Sequence, residues 1–227
     1  MYKLYIANKN YSSWSLRPWI LMTELSISFE EILTPFIAGS NWEEFRKFSP
    51  TGRVPCLLDG GRKIWDSLAI TEYLAERHEN IWPKDEELRA WARCVASEMH
   101  SGFSELRNIC PMNFGVEVTL NSAPSSLKND INRIDELWCE GIDRFGGPFL
   151  AGNNFTAVDA FFVPVASRIK TYNLKLSSMA LAYSKMLLSL KSVKSWEKSA
   201  LLETWREPGH EQDTERYGAI VKDYRKV

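Results

Sequence analysis

The stretch NYSSWSLRPW, residues 10–19, places three serines directly after a short apolar run. Pro18 limits where the next helix can begin, because proline is harmless only in the first turn, where a backbone N–H has no partner within the helix. We therefore predict Ser15 as the N-cap, which puts Pro18 in the first turn. Ser12 and Ser13 then lie in the loop ahead of the helix, whose positive end favours anions. Their hydroxyls are candidates for binding an anionic group.

Two other motifs could contact a ligand, one at the start of a strand and one at the start of a helix. Val54-Pro55 stands where a strand is predicted to begin, and an X-Pro bond there can be trans or cis. A cis bond would turn the main chain of Val54 outward, toward an extended peptide-like ligand. Asp66-Ser67 opens the next helix, with Ser67 as its predicted N-cap. This end of the helix either binds an anion or only caps the helix.

The composition is that of an ordinary globular protein. Hydrophobic residues make up 44% and charged residues 25%, and the net charge of -1 argues against nucleic-acid binding through a strongly basic surface. The start, MYKLYIANKN, lacks the long uncharged segment of a signal peptide, and the most apolar later stretch is too short for a membrane span. We therefore expect a cytoplasmic protein with no membrane partner. The cysteines show no zinc-ligand spacing, which predicts no metal.

The first third of the chain alternates strand and helix signals in the order β-α-β-α-β-β-α. The first half of this order requires a crossover helix between parallel strands. We assign residues 1–80 to a compact α/β domain and residues 81–87, where proline and charge replace apolar residues, to a linker. The predicted strands and helices are residues 3–7, 18–25, 28–33, 41–48, 54–59, 63–65 and 67–78.

Residues 88–227 are predicted to form an all-helical domain, because their apolar residues recur at three- and four-residue steps. One apolar face runs from Leu88 to Cys110 and predicts a single long helix. Thr156 and Asp159 fit a capping box at the start of a later helix, a structural role. The tail from Glu207 onward is interpreted as solvated surface or as a segment that closes over the site.

Four motifs in order resemble those of the cytosolic glutathione S-transferases: SSWS from Ser12, GRVPCL around Pro55, DSLAITEYL from Asp66, and the capping box in FLAGNNFTAVDAFFVP. The resemblance covers nearly the whole chain. It implies a thioredoxin-like N-terminal domain with a Ser, Tyr or Cys near the first helix, a cis-proline, and an acidic-Ser pair that binds the γ-glutamyl group of glutathione. It also implies that the capping box is the folding motif of the helical domain.

Within this family the opening loop is most similar to the zeta class, whose loop reads Ser-Ser-Cys-Ser followed by an arginine. On this alignment Ser12 takes the place of the catalytic serine and Ser13 that of the next hydroxyl, while Trp14 replaces the cysteine. The replacement argues against the maleylacetoacetate isomerase activity associated with zeta enzymes. A thiol-disulfide or dehydroascorbate reductase is disfavoured, because such relatives carry a cysteine at the position of Ser12.

The resemblance implies an enzyme that activates the thiol of bound glutathione. A thiol of this kind has a pKa near ~8.5, and lowering it by about two units requires roughly 2.7 kcal/mol. One hydroxyl donor supplies about 1.5–3 kcal/mol and a helix terminus about 0.3–1 kcal/mol, so no covalent enzyme nucleophile is needed. Ser12 is the first choice for this donor, Ser13 the second and Tyr11 the third.

The same resemblance assigns the other contacts of the two substrates. Those expected to bind glutathione, besides Ser12, are Trp42, Arg53, Val54, Pro55, Asp66 and Ser67. The electrophile is expected between the opening loop and the first long helix of the second domain. The candidates there are Tyr11, Trp14, His100, Phe103 and Arg107. Arg17 is expected either to form an ion pair at the domain interface or to face the substrate.

The predicted function is transfer of the glutathione thiolate to a small hydrophobic electrophile by addition or substitution. Two alternatives remain open: a zeta-type glutathione-dependent cis-trans isomerase, and a non-catalytic glutathione-binding module of the same fold. Members of the family are commonly homodimers, so a homodimer is expected here.

Overall fold

The computed structural model describes residues 1–225, and its N-terminal part is built on a four-stranded sheet. The elements in chain order are β1 (Tyr2–Ile6), α1 (Ser13–Glu24), β2 (Phe29–Leu33), α2 (Trp42–Arg46), β3 (Cys56–Asp59), β4 (Arg62–Trp65) and α3 (Ser67–Ala75). The strand order is β2-β1-β3-β4, with β1 parallel to β2 and antiparallel to β3. This confirms the predicted element order, in which α1 is the crossover helix between the parallel strands.

The sheet and its first helix share one apolar core. Leu4 and Ile6 of β1 are fully buried, and residues 15–22 of α1 are buried without interruption. β3 and β4 form a hairpin, and Gly60 in its turn takes a positive φ of 58°, which glycine adopts without steric cost. The C-terminal end of β1 therefore lies beside the start of β3, with Tyr5 opposite Cys56.

The second part of the chain is helical except for two short strands. Its elements are α4 (Glu86–Ser101), α5 (Ser104–Ile109), β5 (Val116–Leu120), α6 (Ser125–Phe145), α7 (Ala157–Tyr172), α8 (Ser178–Ser189), α9 (Lys191–Leu202), α10 (Pro208–Glu215) and β6 (Gly218–Asp223). α7 is the central helix, because every residue in it except Lys170 is buried. It packs against α1, α4 and α8 and so joins the helices to the sheet. No helix within residues 1–225 is long and apolar enough to cross a membrane.

Two expectations for this helical part are wrong. The single helix from Leu88 to Cys110 is interrupted at Phe103, whose φ of 55° is left-handed, so α5 starts anew there. The apolar spacing continues across this break because both helices face the same core. β5 and β6 form an antiparallel pair that joins Val116 to Asp223, a pairing too distant along the chain to leave a local signal. The separation into two domains at residues 81–87 stays a prediction.

Candidate active site

The helix that follows the serine-rich loop begins earlier than predicted. Ser12 is the N-cap of α1 and Ser13 its first residue, so Pro18 is the sixth. The missing N–H of Pro18 leaves the carbonyl of Trp14 without its usual helical partner, at a cost of about 3 kcal/mol. The unbroken burial of residues 15–22 outweighs that cost. The prediction that Ser15 caps the helix is therefore wrong.

The serines of the loop differ in their hydrogen bonds. Ser15 is fully buried, and its Oγ accepts from the N–H of Ala7 at 3.3 Å and from the Oγ of Ser12 at 2.7 Å. The hydroxyl proton of Ser12 therefore points into the protein. Ser13 is half-buried, and its Oγ accepts from Nη2 of Arg168 at 3.4 Å. Among residues 1–225 no group accepts the hydroxyl proton of Ser13.

Two adjoining cavities of about 390 and 570 Å³ open beside this loop. They share the lining residues Trp14, Trp42, Gly52, Arg53 and Val54. The first cavity is also lined by Tyr11, Ser12, Ser13, Phe36, Gly39, Ser40, Asn41, Phe45 and His210. The second is also lined by Thr51, Pro55, Trp65, Asp66 and Ser67. Together they form one groove from the start of α1 to the start of α3, which we call the loop groove.

The far end of the loop groove is formed by the Pro55 segment and the start of α3. The Val54-Pro55 bond is cis. Asp66, and not Ser67 as predicted, is the N-cap of α3: its carboxylate accepts from the N–H of Leu68 at 2.8 Å, and its φ is 73°. The carboxylate of aspartate reaches the free N–H groups of the first turn, which leaves the next hydroxyl for other partners.

The junction of the two cavities carries a tryptophan and an arginine. The indole of Trp42 lies on Gly52, where a Cβ would come within 2.5 Å of the ring, so no larger residue fits there. Arg53 is exposed, and no carboxylate among residues 1–225 lies within 4 Å of its guanidinium. A cation free to bind a ligand therefore stands at the junction.

A buried guanidinium lies behind the groove. Arg17 is 2% exposed and stacks on Trp14, with Cζ 4.2 Å from the ring centre, while its Nη1 lies 3.5 Å from Oγ of Ser67. Its Nε has no hydrogen-bond partner. Burial first, and then the repulsion of Arg107 and Arg168, hold the pKa of Arg17 well below its ordinary value. Arg17 thus neither forms an ion pair within 4 Å among the described residues nor lines the groove.

The three predicted residues of the helical part lie behind Trp14 or in the core. The Nε2 of His100 lies 3.4 Å from Oδ2 of Asp66, and burial lowers the pKa of this histidine against the opposing effect of Asp66. Arg107 stacks on Trp14 at 4.7 Å. Phe103 is 7% exposed and belongs to the hydrophobic core. None of the three lines either cavity, so their contact with a substrate stays a prediction.

The C-terminal part of the chain closes one end of the groove. α10 brings His210 between Tyr11 and Phe36, with ring centres 4.9 and 4.8 Å away. The hydroxyl of Tyr11 donates to Glu211 at 2.5 Å, and burial together with this bond raises its pKa. The buried Glu203 accepts from two main-chain N–H groups of the opening loop. Of the two interpretations of the tail, the structure favours the one that covers the site.

Sequence reasoning missed two residues of this region. Phe36 follows β2 in a loop, where no local pattern indicates a site. Arg168 contacts Ser13 across 155 residues of sequence, and so distant a contact leaves no local signal. His210 belongs to the tail, for which closure over the site was one of the two expected roles. Within residues 1–225 no group of three or more histidine, cysteine or acidic side chains is arranged to hold a metal ion.

Comparisons with known proteins find similarity to one family. The model of the glutathione S-transferase N-terminal domain matches residues 11–77. Maleylacetoacetate isomerase of Mus musculus is 26% identical over 180 residues, which cover 77% of this chain and 81% of the relative. A zeta-class glutathione S-transferase of Euphorbia esula is 27% identical over 175 residues, 75% of this chain and 78% of the relative.

A solved structure shows the same fold. The glutathione transferase homologue from Burkholderia gl BGR1, crystallised with bound glutathione, aligns with a TM-score of 0.65 at 20% identity over 88% of this chain and 97% of its own. The shared fold confirms the predicted thioredoxin-like sheet followed by a helical part. The match of residues 11–77 and the relatives that span three quarters of the chain support membership of the cytosolic glutathione S-transferase family.

Proposed function

We propose that the protein binds glutathione in the loop groove and activates its thiol with a hydroxyl of the Ser12–Ser13 pair. The thiolate then attacks a small hydrophobic electrophile. One observation carries this proposal: the residues expected to bind glutathione come from four separate segments, and all of them line the groove. They are Ser12, Ser13, Trp42, Arg53, Val54, Pro55, Asp66 and Ser67.

The groove offers a matching partner for each part of an extended glutathione molecule. The carboxylate of Asp66 and the start of α3 suit the ammonium and carboxylate of the γ-glutamyl group. The main chain of Val54 suits the peptide of the cysteinyl unit. The free guanidinium of Arg53 suits the glycyl carboxylate, and the adjoining indole of Trp42 covers it. The sulfur then reaches the start of α1.

The first cavity has the character of a site for an apolar second substrate. Its walls at this end are the rings of Tyr11, Phe36, Phe45 and His210. A small electrophile held there would lie next to a thiolate at the serines, and holding both reactants in one place accelerates their reaction. The enzyme supplies no covalent nucleophile, because the attacking sulfur belongs to glutathione.

Replacing Arg53 with alanine is expected to raise the Kd for glutathione about 1.4- to fivefold, because an exposed pair between opposite charges stabilises by about 0.2–1 kcal/mol. Arg62→Ala is the matched control, since Arg62 is also an exposed arginine, in the neighbouring strand β4, but lies outside the groove. Isothermal titration calorimetry measures both. Equal affinities in the two variants would remove Arg53 from the proposed site.

The transferase reaction is tested by conjugation assays on a panel of aryl halides and epoxides, together with direct measurement of glutathione binding. We expect turnover of at least one panel member. Tight binding of glutathione without turnover of any member would contradict the transferase proposal and support the non-catalytic module of the same fold.

A zeta-type isomerase is the second candidate, favoured by the similarity to the mouse maleylacetoacetate isomerase. It would use the same thiolate without net conjugation. Turnover of maleylacetone with catalytic amounts of glutathione supports this candidate, and its absence removes it. A homodimer is part of the proposal for either reaction.

A further inference from the structure

We infer that Ser13, and not Ser12, donates the hydrogen bond to the glutathione thiolate, and that Arg168 positions the Ser13 hydroxyl for it. The inference rests on the proposed function and names the group that acts at the sulfur. It departs from the alignment with zeta enzymes, which puts Ser12 in the catalytic position. Two observations support it: the directions of the hydrogen bonds that the two serines make, and the position of the buried Arg168 guanidinium next to Ser13.

The hydroxyl proton of Ser12 is already in use. Ser12 is 5% exposed, and its Oγ donates to Ser15 at 2.7 Å. Ser15 cannot move away to release it, because it is fully buried and its Oγ also accepts the N–H of Ala7 at the end of β1. A hydroxyl has only one proton, so donation from Ser12 to a thiolate would require this buried bond to reverse, with Ser15 donating to Ser12.

The hydroxyl of Ser13 is arranged in the opposite way. It accepts from Nη2 of Arg168, and its own proton has no acceptor among residues 1–225. Arg168 occupies one lone pair of the Ser13 oxygen and leaves the proton unused. The O–H of Ser13 can therefore turn toward the first cavity, which this residue lines. Ser13 is also the first residue of α1, next to the free N–H groups at the positive end of the helix.

Arg168 is held firmly enough to position that hydroxyl. It is 5% exposed on the central helix α7, its Nε donates to the carbonyl of Cys110 at 2.8 Å, and its Nη1 donates to that of Pro164 at 3.1 Å. No carboxylate among residues 1–225 lies within 4 Å of its guanidinium. The charge of Arg168 is therefore balanced by no neighbouring acid, and an anion at Ser13 would be stabilised by it.

The ionisable groups around Arg168 keep the electrostatic potential near Ser13 positive at neutral pH. Burial first, and then Arg107, lower the pKa of Arg168 to about 10, so it stays charged. Burial raises the pKa of Cys110 to about 12 and also raises that of Tyr172, so both stay neutral.

Titrating the thiol of bound glutathione by its ultraviolet thiolate absorbance distinguishes the two serines. We expect Ser13→Ala to raise the pKa of the bound thiol by about 1–2 units, the loss of one charge-assisted hydrogen bond. Ser12→Ala, the matched variant one residue earlier, should raise it by less than half as much. The reverse order would overturn the inference while the proposed function stands. An unshifted thiol pKa in the unaltered protein would instead contradict the proposed function.

Two substitutions of Arg168 test the positioning role. Arg168→Gln keeps a donor but removes the charge, and we expect it to raise the pKa of the bound thiol by about 0.5–1 unit. Added to Ser13→Ala it should cause a smaller shift than it does alone, because its hydrogen bond to Ser13 is then already lost and only its charge still acts on the thiolate. Arg168→Lys keeps the charge and serves if the glutamine variant does not fold, as thermal unfolding will show. A bound-thiol pKa unchanged in a folded Arg168 variant would remove the arginine from the inference.

Discussion

Replacing Asp159 with alanine is expected to lower the free energy of unfolding by about 2–4 kcal/mol. The carboxylate is fully buried at the start of α7 and accepts from the N–H of Leu150 at 3.0 Å, the N–H of Thr156 at 3.0 Å and the hydroxyl of Tyr183 at 2.8 Å. Alanine leaves these donors buried and unpaired. The loss is partly offset, because the desolvated carboxylate is itself unfavourable.

Chemical denaturation at neutral pH measures this effect. Asp143→Ala is the matched control, since Asp143 is an exposed aspartate of α6. Its loss should change the free energy of unfolding by less than about 0.5 kcal/mol. If the variant at Asp159 were no less stable than this control, the bonds at the start of α7 would not hold the helical part together.

The same carboxyl gives a specific dependence of stability on pH. Burial raises the pKa of Asp159 from 3.8 to about 6, although its hydrogen bonds oppose the shift. The folded state therefore binds this proton more tightly than the unfolded state. The contribution of Asp159 to stability is largest below about pH 4 and decreases as the pH rises to about 6. This pH-dependent part of the free energy of unfolding should be missing in the Asp159→Asn variant, because an amide side chain does not titrate.

Replacing both Ser12 and Ser13 with alanine is expected to lower kcat/KM for conjugation about 10- to 150-fold. That range corresponds to the 1.5–3 kcal/mol of a hydrogen bond to a charged acceptor. Removing both serines leaves neither hydroxyl to replace the other. Glutathione should still bind, because Arg53, Val54 and the start of α3 remain in place.

Steady-state kinetics with glutathione varied at a fixed electrophile concentration measures this loss. Ser122→Ala, an exposed serine far along the chain, is the control and should keep full activity. An unimpaired double variant would show that the thiolate is stabilised by the N–H groups of α1 alone.

Much of the fold could be predicted because its signals are local. The strands around Leu4 and Leu57 and the turn at Gly60 are encoded within a few residues each. The pair of β5 and β6 could not be predicted, because each strand finds its partner about a hundred residues away. The start of α1 was predicted three residues late, because a rule for isolated helices ignores the burial that lets Pro18 lie deeper in the helix.

The candidate site could likewise be predicted only in part. Ser12, Val54 and Asp66 stand in short motifs, so the residues of the loop groove could be named from the sequence. Their hydrogen-bond directions could not, because the difference between Ser12 and Ser13 depends on Ser15 and on Arg168, which is distant in sequence. The aromatic wall at His210 likewise depends on how the tail packs.

The docking of the tail ties one end of the loop groove to the C-terminal helices. Glu203 holds the main chain of Lys9 and Asn10, and His210 completes the wall of the first cavity. A displacement of α10 would therefore widen the end proposed for the electrophile and leave the far end, at Pro55 and Asp66, unchanged.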